Sequence, residues 1–244
     1  MITVSINQRA TSDSGPAQPL EYAAFDSDYG RLSLAFSGRT ARFSDLDLSA
    51  EDFEQKCYER IGERPVPSSE VPAVLGRAVR DVLDRRGRFR GTVDLSSVTP
   101  LQERALREVM TVRRGEIRSY SWIARAIGAP LAARAVGDAM ASNPIPVLVP
   151  CHRAVRTDYT LVNYGAGGPS KKRAILLLEG VDVDALARRA RQGKRFNGCT
   201  TTRIFCLPFC YAGRRVKPHN AVTFSSPSQA IESGYRPCKL CCPA

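Results

Sequence analysis

Apolar and polar positions alternate with a short period at the start of the chain, and the period then changes. E-Y-A-A-F-D, L-S-L-A-F and T-A-R-F, between Leu20 and Phe43, are extended runs separated by D-Y-G-R and S-G-R turns. Gly30 and Gly38 supply those turns, so the stretch predicts strand, turn, strand, turn, strand. From Ala50 to Ile61 the spacing becomes helical, with Phe53, Cys57, Tyr58 and Ile61 recurring and Ser49 placed to cap. Cys57 falls on that stripe and reads as core. A Pro-rich link from Pro65 to Pro72, a helix over Ala73 to Arg85 and a strand over Thr92 to Leu95 complete this half.

In the second half, Thr99 with Glu103 makes a loose start for a helix over Leu101 to Val112, ended by Gly115. Ser119 caps a helix from Tyr120 to Ile127, Gly128-Ala129-Pro130 turns the chain, and a second helix runs from Leu131 to Ala141. Such a helical pair has the shape of a DNA-reading helix-turn-helix and equally of an ordinary packing unit. The pattern alone leaves both open. Val147 to Val149 reads as a short buried strand whose ladder Pro150 cannot extend. After Gly180 the run A-L-A-R-R-A-R-Q-G-K-R reads as a basic linker or a DNA-facing tail. Met1 to Pro19, rich in Ser, Gln, Pro and Gly, reads as a loose arm.

Composition sharpens this picture. A chain of 244 residues carries a net charge of +12, and 30 of its 36 basic residues are arginine. That balance points to a polyanionic partner, most simply nucleic acid. No apolar stretch reaches membrane-spanning length, and Met1 to Gly15 lacks the apolar core of a signal peptide. The expectation is a soluble protein of the reducing cytoplasm, in which eight cysteines serve as ligands or nucleophiles rather than disulfides.

Two groups of cysteines carry chemistry. In P-C-H-R, Cys151 stands beside His152, the arrangement needed to make a thiolate at neutral pH. The alternative is a buried cysteine acting as a small hydrophobe. Near the C-terminus, Cys206 and Cys210 form C-x3-C, and Cys238 and Cys241 form C-x2-C. Two short-spaced pairs are a signature of a tetrahedral zinc site. A redox pair is the weaker reading, because there are two pairs and no thioredoxin-like context. A module of about 50 residues also needs such a staple to be stable.

P-C-H-R resembles the active-site motif of the O6-alkylguanine-DNA alkyltransferases. R-S-Y-S-W-I-A-R-A-I-G-A-P with A-A-R-A-V-G-D-A-M-A-S-N-P resembles that family's helix-turn-helix, and N-Y-G-A-G-G-P-S-K-K-R-A-I-L-L-L-E-G its closing loop and last helix. The resemblance implies an α/β fold. An RNase H-like N-terminal subdomain (20–95) would precede a helical, winged-helix-like catalytic domain (96–182). It further implies that the second helix enters the minor groove, with Ala133 and Gly137 allowing close approach. Arg134 would enter the base stack in place of the extruded guanine, and Tyr120 would crowd the target phosphate. Asn143 would hold the turn bearing Cys151, while His152 and Glu179 would relay its proton through a water. Tyr164 and the backbone of Ala154 would form part of the guanine pocket. Ala154, Tyr159 and Gly165 depart from the family's usual Val, Gly and Ser or Arg, which bears on alkyl-group preference. The alkyl group would pass irreversibly to Cys151, with no organic cofactor and one turnover per molecule.

T-T-R-I-F-C-L-P-F-C through Y-R-P-C-K-L-C resembles the zinc domain of the bacterial Ada protein. This implies one zinc ion on Cys206, Cys210, Cys238 and Cys241 in a module over 196–244, joined by the basic linker 183–195. Cys206 would also accept methyl groups from DNA methylphosphotriesters; a purely structural zinc knot is the alternative. Arg203 stands where that family commonly has Gly, and Cys199 and Cys242 lie outside the ligand set. The expected whole is a monomeric DNA repair protein, with an alkylation sensor that regulates transcription as the rival.

Overall fold

The alternation seen at the start of the chain forms three antiparallel strands, β1 (Glu21–Phe25), β2 (Leu32–Ser37) and β3 (Thr40–Leu46). The structure, a computed structural model, describes residues 18–162 and 164–243, so most of the expected N-terminal arm lies outside the described residues. Gly30 and Gly38 take φ of 111° and 55° in the two turns. Helix α1 (Ala50–Ile61) follows, with Ser49 accepting from Asp52 N and Gly62 ending it in the left-handed conformation. The short strand β4 (Val66–Pro67), helix α2 (Ala73–Leu83) and the short strand β5 (Thr92–Val93) complete a five-stranded sheet of order β4-β1-β2-β3-β5. Ala35 on β2 faces Phe53 and Cys57 of α1, while Leu34 and Phe36 face Leu75 and Val79 of α2. The sheet is therefore covered on both sides, and Cys57 is core as expected.

The second half comprises α3 (Pro100–Val109), β6 (Arg118–Ser119), α4 (Tyr120–Ala126), α5 (Ala133–Ala141), β7 (Ala154–Val155) and α6 (Gly168–Leu178). β6 pairs in parallel with β7 and ties the helical pair to the segment after Cys151. Thr99 caps α3 through a capping box with Gln102, not Glu103; Glu103 instead pairs with Arg107 one turn on. α5 starts two residues later than its pattern suggested, since Leu131 is 99 % exposed and Ala132 sits at the cap.

Two expectations change. Val147 to Val149 is buried but is no strand, contributing only a bridge between Pro146 and Val149. Pro144, Pro146 and Pro150 remove ladder donors there, and Val147 takes φ of 73°. The basic run, expected as a linker or a tail, folds as helix α7 (Val183–Arg191), capped by Asp182 through Ala185 N. Val183, Ala187 and Ala190 form its buried stripe. Arg188, Arg189 and Arg191 in its last turns hid that stripe from a reading by charge.

The last module pairs β8 (Phe196–Cys199), β9 (Ile204–Cys206), β10 (Ala221–Phe224) and β11 (Arg236–Pro237) in the order β10-β8-β9-β11, with helix α8 (Pro227–Glu232) alongside. Phe205, Phe224, Ala230 and Tyr235 form its own core. Phe209 joins a different cluster, with Tyr159, Ile117 and Leu176 of the second half. Trp122 Nε1 on α4 donates to the Cys241 carbonyl at 2.9 Å, and Tyr211 N donates to buried Glu116 at 2.9 Å. The two modules thus share an apolar contact as well as hydrogen bonds. Among the described residues no helix is long and apolar enough to cross a membrane.

Candidate active site and metal centre

Three prolines and Asn143 shape the turn that presents Cys151. Asn143 Oδ1 accepts from Ile145 N at 3.0 Å, and its Nδ2 donates to the Val149 carbonyl at 2.9 Å and to Cys151 Sγ at 3.0 Å. One side chain thus closes the turn and directs an N–H at the sulfur. Cys151 is 2 % exposed and opens a single turn of 3-10 helix with His152 and Arg153. Burial pushes its thiol up, and the Asn143 hydrogen bond and the Lys172 charge pull against that shift.

Behind the cysteine lies a buried ionic cluster. Glu179 accepts from Arg153 Nε at 2.9 Å, Arg153 Nη2 at 2.7 Å and Tyr29 Oη at 3.5 Å, and lies 3.1 Å from His152 Nε2. Burial alone would raise the Glu179 carboxyl, but His152 and Arg153 hold it well below the usual carboxylate range. An ionised carboxylate only accepts, so the proton between the pair sits on His152 Nε2. Burial lowers the imidazole, outweighing the pull of Glu179, so the ring is neutral at pH 7. Its Nδ1 then carries a lone pair, and that atom has no partner among the described residues.

Arg153, Tyr29 and Lys172 had no assigned role in the sequence reading. Arg153 belongs to P-C-H-R but could not be placed without its partner. Tyr29 comes from the β1–β2 turn of the N-terminal subdomain, a half that displayed no recognisable chemistry. Lys172 Nζ donates to the Ala154 carbonyl at 2.6 Å and to Tyr120 Oη at 3.4 Å. Burial lowers it to about 8. A signal for Lys172 existed: it falls on one helical face with Ile175, Leu176 and Glu179.

The DNA-facing candidates converge elsewhere. Tyr120, Ala133, Arg134 and Gly137 line an open groove of about 640 Å³ along α5, together with Asp138, Arg156 and Thr157. An added Cβ at Gly137 would stand 3.6 Å from the Tyr120 ring, so this glycine keeps the groove wide rather than preventing a clash. Burial pushes the Tyr120 phenol up to about 12, so it is protonated at neutral pH. Cys151, Ala154 and Tyr164 are buried and do not line this groove; the Tyr164 hydroxyl is unpartnered among the described residues. At Gly165 a Cβ would come within 2.8 Å of the Ala141 carbonyl, which is why glycine stands there. Lys56 of α1 also holds the Gly165 carbonyl at 3.2 Å.

The cysteines of the tail meet as their spacing predicts. Sγ atoms of Cys206, Cys210, Cys238 and Cys241 all lie within 4.8 Å of one another and are buried. Leu207 N points to Cys241 Sγ and Leu240 N to Cys238 Sγ, each at 3.4 Å, and the N–H groups of Ala212 and Gly213 are directed at Cys210. Four soft sulfurs at this separation, stabilised by N–H donors, fit a tetrahedral zinc ion. Cys199 and Cys242 lie outside the cluster, Cys199 instead meeting Thr201 Oγ1 at 3.1 Å.

Residues 100–181 match the family model of the 6-O-methylguanine DNA methyltransferase, DNA binding domain, and 184–244 match the metal binding domain of Ada. A methylated-DNA–protein-cysteine methyltransferase of Mycolicibacterium paratuberculosis is 38 % identical over 162 residues, covering 66 % of this chain and 92 % of that protein. The chain belongs to this methyltransferase family. The Mycobacterium leprae relative of the same name is 47 % identical over 156 residues, covering 64 % of this chain and 90 % of its own length. The crystal structure of the Mycobacterium tuberculosis O6-methylguanine methyltransferase aligns with a TM-score of 0.55 at 33 % identity, over 66 % of this chain and 92 % of that one. A structure of the same organism's protein in complex with DNA aligns at 0.54, also at 33 % identity, covering 66 % of this chain and 93 % of that one. This methyltransferase is therefore a DNA-binding repair protein that transfers alkyl groups to cysteine, carrying an additional Ada-type metal-binding module.

Proposed function

We propose that Cys151 is the acceptor for the alkyl group of O6-alkylguanine, and that α5 lies in the minor groove with the target nucleotide flipped out. The observation that carries this reading is the open Nδ1 of His152, left with its lone pair available by a tautomer that Glu179 fixes. Nδ1 takes the Cys151 proton through a bridging water, and the resulting imidazolium is stabilised by Glu179. The thiolate, with Asn143 Nδ2 at its sulfur, attacks the alkyl carbon; an S–C bond forms as the C–O bond breaks. The electron pair stays on the guanine oxygen, and the base leaves after taking a proton from a donor such as Tyr120. A thioether remains, so each molecule turns over once. Flipping is required because the alkylated oxygen is out of a cysteine's reach inside an intact duplex. Arg134 fills the vacated stack, Tyr120 crowds the phosphate, and Tyr164 with the Ala154 backbone bounds the base.

In the tail, one zinc ion would hold the four sulfurs as thiolates at neutral pH. Cys206 is the one ligand whose sulfur has no backbone N–H donor of this kind among the described residues, so it keeps the most charge. Its Sγ takes the methyl of a neutral methylphosphotriester, leaving an ordinary phosphodiester. The sensor reading is not favoured, since the relatives are named for methyl transfer. All the groups invoked come from one chain, so a monomer suffices, and free thiols suit the cytoplasm.

Intact mass after incubation with duplex O6-methylguanine DNA will rise by one CH2 unit, and peptide mapping will place it on Cys151. A methyl found elsewhere, or none, overturns the assignment. Phosphotriester DNA will add a second methyl at Cys206; zinc without that uptake makes the tail a structural knot.

A further inference from the structure

The seam between the zinc module and the helical pair opens as a small cleft of about 70 Å³, lined in part by Ser121, Trp122, Arg125, Thr157, Tyr159 and Arg195. Ser121 and Thr157 also line the larger groove along α5, so cleft and groove are continuous. Hydroxyls mark the passage: Ser119 Oγ lies 3.0 Å from Ser121 Oγ, which lies 3.3 Å from Thr157 Oγ1. Among the described residues no carboxylate lines the cleft.

Arg195 is the zinc module's contribution. It stands one residue before β8, and its backbone N–H donates to the Phe224 carbonyl at 2.9 Å, so its stem is anchored in the module's sheet. Its side chain makes no ion pair among the described residues. The cleft is too small to house a base, which the 640 Å³ groove can accept, yet it presents guanidinium and hydroxyl donors together. That donor set is the one that binds phosphate oxygens.

We propose that the seam is a phosphodiester subsite, in which Arg195 with the Ser121 and Thr157 hydroxyls grips the DNA backbone next to the nucleotide held in the groove. This inference rests on the DNA-binding reading of α5 given above. It makes the zinc module part of the DNA grip during repair of the base, whatever its own chemistry.

The test uses the full zinc-loaded chain and measures duplex affinity against salt, with and without O6-methylguanine. Arg195→Gln will lower the slope of log K against log salt by about one, as expected for the loss of one phosphate contact. Affinity will fall by the same factor on damaged and undamaged duplexes, and reaction with the free alkylated base will be unchanged. Arg195→Lys, which keeps the charge, will restore most of the slope. An unchanged slope in Arg195→Gln, or a slope that Arg195→Lys fails to restore, overturns the subsite. Arg134→Ala measured in parallel separates the two claims. Should it abolish duplex repair while Arg195→Gln leaves the slope intact, the seam proposal alone falls. Should Arg134→Ala leave duplex repair intact as well, the reading of the α5 groove falls with it.

Discussion

Glu179 shows how one buried carboxylate can be made to stay ionised. Each oxygen meets an Arg153 donor, and Oε1 also meets Tyr29 and His152. Removing the charge leaves Arg153 buried with amide hydrogens facing it, and breaking a buried pair in this way costs about 3–5 kcal/mol. Glu179→Gln should therefore lower the unfolding free energy read from a urea titration at pH 7 by about that amount. The pH dependence follows from the direction of the shift. The folded-state value lies below the unfolded 4.5, so the unfolded chain binds more protons as the pH drops. Glu179 then contributes its full stability above about pH 4.5, and that contribution is lost as the pH falls toward the folded value. Wild-type unfolding followed from pH 6 to pH 3 should weaken more steeply than that of Glu179→Gln; parallel curves would remove Glu179 as the cause.

At the scale of elements, β1 to β3, α1 and the helical pair were legible because each follows its own period with its own cap: Ser49 for α1, Ser119 for α4. Legibility failed where side chains replaced backbone pairing or where charge masked a stripe. The segment before Cys151 is apolar and buried, yet Asn143 supplies the bonds that a strand ladder would. In α7 three buried residues carry the helix while its arginines set the composition. The candidate site was legible wherever a motif spelled it, as at Cys151, His152 and the four tail cysteines. Tyr29 was not, since its role depends on contacts across the fold, and for Lys172 the helical face was legible but its partners were not. For α5 the prediction concerns its exposed Arg134. Arg134→Ala should slow repair of duplex DNA far more than reaction with the free alkylated base, by the few kcal/mol that unstacking costs. Single-turnover rates on both substrates measure this, and equal losses would give Arg134 a role in the chemistry or the fold.

One of the contacts that join the two modules falls where this chain leaves its family's habit. Tyr159 takes φ of 66°, a left-handed conformation that suits the glycine common there and is strained for a tyrosine. Its ring meets Phe209 of the zinc module edge to face, with centroids 6.1 Å apart, a contact worth about 0.5–1.5 kcal/mol beyond its burial. Arg203 likewise takes φ of 52° where glycine is usual, with its guanidinium over Tyr235 inside the module. Docking therefore rests on Tyr159 and Phe209, on Glu116 with Tyr211 N, and on Trp122 with the Cys241 carbonyl. Trp122 is the only tryptophan in the chain, so its fluorescence reports on the seam. Metal binding supplies much of a small module's folding free energy, so Cys238→Ala should unfold the tail. The Trp122 indole then loses its carbonyl and its cover, and its emission should move to the red as water reaches it. Cys151 should still accept an alkyl group from the free base, because Asn143, His152 and Glu179 lie in the catalytic half. Tyr159→Gly separates docking from metal binding. It relieves the backbone and removes the ring contact, so the emission should shift in the same direction while zinc content stays at the wild-type value. A Tyr159→Gly protein with unaltered Trp122 emission would show that the polar contacts alone hold the modules together.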